Sequence, residues 1–200
     1  MEATVPISKP IFSNQALARL LVPLVIEQLL LMTVGMADTM MVTTAGEAVV
    51  SGVSLVDSIN VLIINVFSAL STGGTVVVAQ YLGRKDSDNA RLAAKQLIYV
   101  ALIVSLSLMG LALLLREHIL RLIFGDVSQE VMASALIYFL LTAAAYPFIA
   151  VYNAGAALFR AMGNSNVSMV NSLIVNAINI TVNAALIYGI GMGAAGAGIG

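Results

Sequence analysis

Long apolar segments alternate with short polar ones along the whole chain. Four segments contain no Asp, Glu, Lys or Arg: residues 58–83, 96–115, 131–159 and 161–200. A helix needs about 20 predominantly apolar residues to cross the hydrocarbon core of a bilayer, and each of these segments is long enough. The pattern therefore predicts an all-α membrane protein, a polytopic bundle of transmembrane helices.

Polar residues between the apolar segments set the expected helix boundaries. Five complete helices are predicted over residues 15–42, 49–81, 90–115, 131–159 and 167–188, with the start of a sixth at about 192–200. Residues 1–14 are expected to form a polar cytoplasmic lead, because Pro6 and Pro10 oppose regular structure. Residues 116–130 are expected to form a charged connector with apolar side chains at the membrane interface. Pro147 is expected to kink the fourth helix.

Composition narrows the class of protein further. Hydrophobic residues make up 60% of the 200 residues and charged residues only 10%, which excludes a soluble domain. The net charge of −1 argues against a nucleic-acid partner, since phosphate binding requires a basic surface. There is no cysteine and only one histidine, so disulfides and multi-histidine zinc sites are excluded. No metal site or cofactor is predicted, and no cleaved signal peptide is recognised.

The distribution of basic residues predicts the orientation in the cell membrane. Seven lysines and arginines fall on the N-terminal side of the bilayer: Lys9, Arg19, Arg84, Lys85, Arg91, Lys95 and Arg160. Only Arg116 and Arg121 fall on the other side. Because cytoplasmic loops carry the excess of Lys and Arg, the chain is predicted to be a multi-pass protein of the cell (inner) membrane with a cytoplasmic N-terminus.

Two acids lie on one face of the first helix. The spacing i, i+4, i+7, i+11 places four residues along one stripe: Glu27, Leu31, Val34 and Asp38. A charge at the centre of the membrane costs at least about 2.5–3.5 kcal/mol on insertion scales, so the stripe is expected to face the bundle interior or a water-filled cavity. The acids are candidate stations for a proton or a cation. Alternatively, Glu27 snorkels at a boundary and Asp38 caps a helix end.

Polar side chains follow the same spacing on the fifth helix, at Ser172, Asn176, Asn179 and Asn183. They could bond neighbouring helices, typically for about 0.6 kcal/mol each, or their amide oxygens could help Asp38 to hold a cation. The second helix also carries an acid, Asp57, which is expected near the outer surface. The hydroxyl groups of that helix are expected mainly to pack.

Intramembrane catalysis is not expected. An aspartyl protease would need a Gly-x-Gly-Asp element, but Asp38 follows Gly35-Met36-Ala37. A serine protease would need a histidine partner, and the single histidine, His118, lies outside the predicted spans. The chain is therefore predicted not to be an enzyme.

Several segments together carry a family resemblance. They are PLVIEQLLLMTVGMADTMMV (23–42), VAQYLGRKD (78–86), LFRAMGNSNVSM (158–169), NAINITVNAALIYG (176–189) and GAAGAG (193–198). In order and spacing the chain resembles the multidrug and toxic compound extrusion (MATE) family across nearly its whole length. The resemblance implies antiport, in which sodium or protons drive the export of amphipathic, often cationic drugs.

The resemblance also implies roles for individual residues. Asp38 matches the acid of the first helix that binds the coupling ion, and Asn179 matches an asparagine of the same site. Asn183 falls where many members have a second acid, which puts coupling by two carboxylates in doubt. Tyr138 matches a tyrosine that lines the lobe. The candidates for lining the lumen or contacting substrate are Glu27, Gln28, Tyr138 and Asn176.

The family has two six-helix lobes, and this chain supplies less than one. The chain is thus interpreted as the N-terminal lobe (residues 15–200), which needs a second lobe from a longer chain or from another copy. Two alternatives remain. One is a flippase for lipid-linked oligosaccharides, although such proteins usually line the lumen with basic residues. The other is a non-transporting membrane fragment or assembly partner.

Overall fold

The computed structural model describes residues 14–200, and all regular structure in that part of the chain is helical. The helices are α1 (Asn14–Thr43), α2 (Glu47–Gly83), α3 (Ser87–Phe124), α4 (Gln129–Ala161), α5 (Ser165–Ala184) and α6 (Gly193–Ile199), with a π-helical turn at Ala185–Gly189. Helices α1 to α5 are long and apolar enough to span a bilayer, which confirms the predicted helical membrane bundle. The predicted lead, apart from Asn14, lies outside the described residues.

Helix α3 is longer than the sequence indicated. The predicted connector at 116–130 continues α3 by nine residues, as far as Phe124. Its charged residues are good helix formers, and Glu117 pairs with Arg121 one turn away at 3.0 Å. The helix stops only at Gly125, whose φ of 69° favours glycine. The polar residues therefore extend this helix beyond the apolar segment instead of ending it.

Side chains cap two of the helices where the sequence turns. Asp86 precedes α3 and accepts hydrogen bonds from Asn89, from Nδ2 at 2.7 Å and from the backbone N–H at 3.2 Å. These bonds hold the pKa of the Asp86 carboxyl below its usual value. The Ser128 hydroxyl accepts from the Val131 N–H at the start of α4. Helix α4 then runs as one element through Pro147.

Helices α2, α3 and α4 pack extensively on one another and form one group. Small residues allow close approach: a Cβ added to Gly52 would lie 2.8 Å from backbone atoms of Val131 and Ala135 in α4. Tyr146 of α4 is fully buried against Phe67 of α2, with the ring centroids 6.0 Å apart and the planes at 71°. Its hydroxyl donates to Asn60 Oδ1 at 2.9 Å.

Helices α1 and α5 form a second, smaller unit, the α1–α5 pair. Glu27 of α1 contacts Ser168 of α5, and Asp38 contacts Asn183 further along both helices. Because the contacts advance together, the two helices run parallel. Direct packing of α1 on α2 is limited, so a boundary, called the seam below, separates the α1–α5 pair from the α2–α3–α4 group.

Large apolar side chains cover the outside of the bundle. Leu114, Leu122 and Phe148 are among the most exposed. In water such a surface would be strongly unfavourable, but acyl chains solvate it. The inside is correspondingly polar in places, with ten polar or charged residues buried among those described.

Candidate functional site

A cavity of about 200 Å³ lies at the seam, in the half of the bundle nearest the α1–α2 turn. Helix α1 contributes Gly35, Asp38, Thr39 and Val42 to its lining, and α2 contributes Val50, Val53, Ser54 and Asp57. Helices α4, α5 and α6 contribute Tyr138, Asn183 and Ala197. The cavity therefore collects side chains from both sides of the seam.

Asp38 and Asn183 form the polar contact on the α1–α5 side of this cavity. Asn183 Nδ2 donates to Asp38 Oδ1 at 2.8 Å and lies 3.5 Å from Asn179 Oδ1. Asp38 is half-buried, whereas Asn183 is only 2% exposed. The three residues that the resemblance assigns to ion coupling are thus adjacent. The helical spacing brings this about, because Asn179 and Asn183 are one turn apart on α5.

Asp57 and Tyr138 form the polar contact on the opposite side. The Tyr138 hydroxyl donates to Asp57 Oδ1 at 2.8 Å, joining α2 to α4. Both side chains line the same cavity as Asp38. The sequence places Asp57 near the outer surface, and its contact with Tyr138 at the cavity is not predicted from the pattern. The available signal was the rarity of an acid inside an apolar helix, which applies to Asp57 as it does to Asp38.

Glu27 lies away from this cavity, in a second polar cluster towards the N-terminal end of α1. Glu27 is 6% exposed, and its carboxylate accepts from Ser168 Oγ at 2.9 and 3.0 Å. Arg160, in the last turn of α4, approaches Glu27 Oε1 with Nη1 at 3.3 Å and also donates to Ser168 at 3.1 Å. The carboxylate is therefore neutralised by a fixed cation rather than turned towards open space.

The remaining candidates divide between the interior and the surface. Gln28 is exposed on the outside of the bundle. Asn176 is buried in the helix interface, where its Nδ2 lies 3.4 Å from Ser172 Oγ. On the predicted stripe of α1, Glu27 and Val34 are buried and Asp38 is half-buried, but Leu31 is 49% exposed. Leu31 sits about 40° around the helix from Glu27, at the edge of the stripe.

The chemistry of the cavity suits a cation. Two carboxylates, a phenol, an amide and the Ser54 hydroxyl converge on it, and hard cations take oxygen ligands. None of the residues that line it is basic. An anion would meet two negative side chains there without a compensating charge.

Comparison with known proteins identifies the family. A sequence model of the MatE family matches residues 23–185, which is most of the chain. The chain belongs to the MatE family. The resemblance to MATE transporters seen in the sequence is thereby confirmed, and membership of a transporter family agrees with the expectation that the chain is not an enzyme.

Curated MatE relatives match over a limited part of their own length. The chain is 28% identical to the Bacillus subtilis protein named uncharacterized transporter YisQ, over 92% of this chain and 40% of that protein. It is 29% identical to the Pseudomonas aeruginosa multidrug resistance protein PmpM, over 86% of this chain and 36% of that protein. The chain thus spans about two fifths of the length of these relatives.

Solved structures of transporters share the fold. One is described as the outward-facing conformation of a multidrug resistance MATE family transporter of the MOP superfamily; it superposes with a TM-score of 0.86 at 23% identity. A Pyrococcus furiosus MOP superfamily transporter gives the same values. Each covers 92% of this chain, and the chain covers 40% of each. The helices described above therefore share the fold of about two fifths of each of these transporters.

Proposed function

We propose that the chain is the N-terminal lobe of a secondary active transporter that exports amphipathic or cationic drugs in exchange for sodium or protons. The observation that carries the proposal is the contact of Asp38 with Asn183 beside the cavity, in a chain of the MatE family. An intramembrane acid whose partner is an amide rather than a cation can release and rebind a positive charge. We assign Asp38, Asn179 and Asn183 to the coupling ion.

The second lobe and the orientation belong to the same proposal. Because the chain spans about two fifths of its relatives, a second lobe is needed to complete a passage for substrate. That lobe is supplied by further chain or by another copy. The excess of Lys and Arg on one side favours a cytoplasmic N-terminus. Drugs would then pass between the lobes from the cytoplasm outwards.

The cavity chemistry argues against the lipid-linked oligosaccharide flippase. Such a substrate carries phosphates, which require basic partners. The residues that line the cavity include two carboxylates and no Lys or Arg. Arg160, a partly buried basic residue in the last turn of α4, is already paired with Glu27.

Replacement of Asp38 by Asn tests the proposal. We expect D38N in the complete two-lobe transporter to abolish drug resistance in an efflux-deficient bacterium, because Asn keeps the size of Asp but cannot bind the driving ion as an anion. Resistance and membrane protein level are measured together. Glu117→Gln is the matched control, since Glu117 is exposed at the end of α3 and is expected to be dispensable. Near-normal resistance of D38N at normal protein level would refute the proposal.

A further inference from the structure

The seam brings two carboxylates to one small cavity from opposite sides. Asp38 belongs to the α1–α5 pair and Asp57 to the α2–α3–α4 group. The titratable groups that line the cavity with Asp57 are Asp38 from α1 and Tyr138 from α4; the lining residues of α5 and α6, Asn183 and Ala197, do not titrate. Two anions that face each other in a low-dielectric cavity repel. A single positive charge between them would remove the repulsion.

Asp57 is held in place for such a role. The Tyr138 hydroxyl fixes Oδ1 of Asp57 at 2.8 Å. A neutral donor orients the carboxylate without cancelling its charge, in contrast to Arg160, which neutralises Glu27. The charge of Asp57 therefore stays available to the cavity.

The amide of Asn183, which contacts Asp38 through Nδ2, has a buried oxygen without a donor in the part of the chain that the structure describes. Among the described residues, no hydrogen-bond donor reaches Oδ1 of Asn183, although this side chain lines the cavity and is 2% exposed. A buried acceptor without a partner costs about 1–3 kcal/mol. A carbonyl oxygen of this kind is a suitable ligand for a hard cation.

We propose that Asp57 is the second carboxylate of the coupling site and shares one positive charge with Asp38 across the seam. The charge is a sodium ion or a shared proton. When it is bound, it links α1 to α2, two helices whose direct packing over their whole length is limited. When it leaves, the repulsion of Asp38 and Asp57 favours their separation. The inference rests on the proposed function and adds Asp57 to it.

The test measures how the cation stabilises the purified chain in detergent. Thermal unfolding is followed by circular dichroism in sodium chloride and in choline chloride, across a range of pH. A cation that binds only the folded chain raises the unfolding temperature with its concentration. Asp57→Asn keeps an acceptor for Tyr138 but removes the charge, so we expect the sodium concentration for half-maximal stabilisation to rise about tenfold or more. If the charge is a proton, we expect the pH response to be lost instead.

Two further variants separate the charge from the packing. Tyr146→Phe is the matched control: it removes an equivalent bond between α4 and α2, to Asn60, outside the cavity. It should lower the unfolding temperature without changing its response to sodium or pH. The double variant Asp38→Asn/Asp57→Asn should lose no more of the response than either single variant, because the two residues share one charge.

The outcomes distinguish this inference from the proposed function. If the unfolding temperature no longer responds to sodium or pH in both Asp38→Asn and Asp57→Asn, the shared charge is supported. A response lost in Asp38→Asn but intact in Asp57→Asn would overturn the role of Asp57 and leave the proposed function standing. If the unfolding temperature of the wild-type chain responds to neither sodium nor pH, both the inference and the proposed function are overturned. If Asp57→Asn does not fold, Tyr138→Phe replaces it, and an unchanged response there would count against the inference.

Discussion

Two acids on the same face of α1 have opposite surroundings. Glu27 is buried against Arg160 and Ser168, so its charge is compensated within the bundle. Asp38 has an amide as its partner and faces a cavity. A paired charge contributes to structure, whereas an unpaired one can bind and release a cation. The two acids therefore differ in role mainly because their hydrogen-bond and charge partners differ.

A charge added beside Asp38 tests whether Asn183 shares its site. Asn183→Asp places a second carboxylate where Nδ2 now donates to Asp38 at 2.8 Å. The two anions repel, so we expect efflux without sodium to shift towards higher pH. Sodium should offset the repulsion and bind more tightly. Efflux by the complete transporter is measured against pH, with and without sodium; identical profiles for the two proteins would assign the polar face of α5 to packing.

At the scale of elements, the close approach of α2 to α4 depends on a residue without a side chain. Gly52→Ala would push a methyl group to within 2.8 Å of the α4 backbone, so we expect a lower unfolding temperature and a weaker α2–α4 interface. Gly73→Ala in the same helix is the control, because nothing lies within 4 Å of its added Cβ. There the higher helix propensity of alanine should stabilise the chain by up to about 1 kcal/mol. Equal effects of the two changes would contradict the packing argument.

The ion pair between α1 and α4 is expected to stabilise the lobe. Arg160→Met leaves Glu27 buried without its cation, and we expect a loss of about 1.5–3 kcal/mol in the free energy of unfolding. The value is well below that of a fully buried pair because the Arg160 side chain is 34% exposed. Arg121→Met, which breaks an exposed pair with Glu117, is the control and should change stability little.

The Glu27→Gln/Arg160→Met double variant distinguishes the effect of the ion pair from that of the packing of the Arg160 side chain. It should recover part of the stability lost by Arg160→Met alone, since no buried charge then remains unpaired. The free energy of unfolding of the wild type, Arg160→Met, Arg121→Met and the double variant is measured by chemical denaturation of the detergent-solubilised chain. A double variant no more stable than Arg160→Met would show that Arg160 acts mainly by packing.

The sequence predicted the helices and the α1–α5 side of the site. It did not predict the bond between Asp57 and Tyr138 on the opposite side. Apolar length gave the five spans, and helical spacing placed Asn179 and Asn183 together on α5. The bond between Asp57 and Tyr138 joins residues 81 positions apart, and the register of α2 on α4 is set by close packing at Gly52, which periodicity does not record. The extension of α3 to Phe124 does not follow from the apolar pattern, because the charged residues after the apolar segment continue the helix instead of ending it.

At the scale of the whole molecule, the exposed apolar belt requires a bilayer, and the orientation within it can be measured. The chain has no cysteine, so a single introduced thiol is the only one labelled. A cysteine at Ser87, the first residue of α3, should react with an impermeant reagent only after the cells are opened. A cysteine at Asp126, beyond the end of α3, should react in intact cells. The reverse pattern would invert the proposed orientation.

The contacts of α5 have a consequence for how the protein is made. Its inner face is polar, and its partners on α1, Glu27 and Asp38, lie 141 and 145 positions earlier in the chain than Ser168 and Asn183. During synthesis, α1 therefore leaves the ribosome and enters the bilayer long before α5 is present to donate hydrogen bonds to its acids. In that interval its two acids must be solvated by water or held at the insertion machinery. The acids of α1 therefore remain without their α5 partners until α5 is inserted, and a pause in synthesis before α5 prolongs this state.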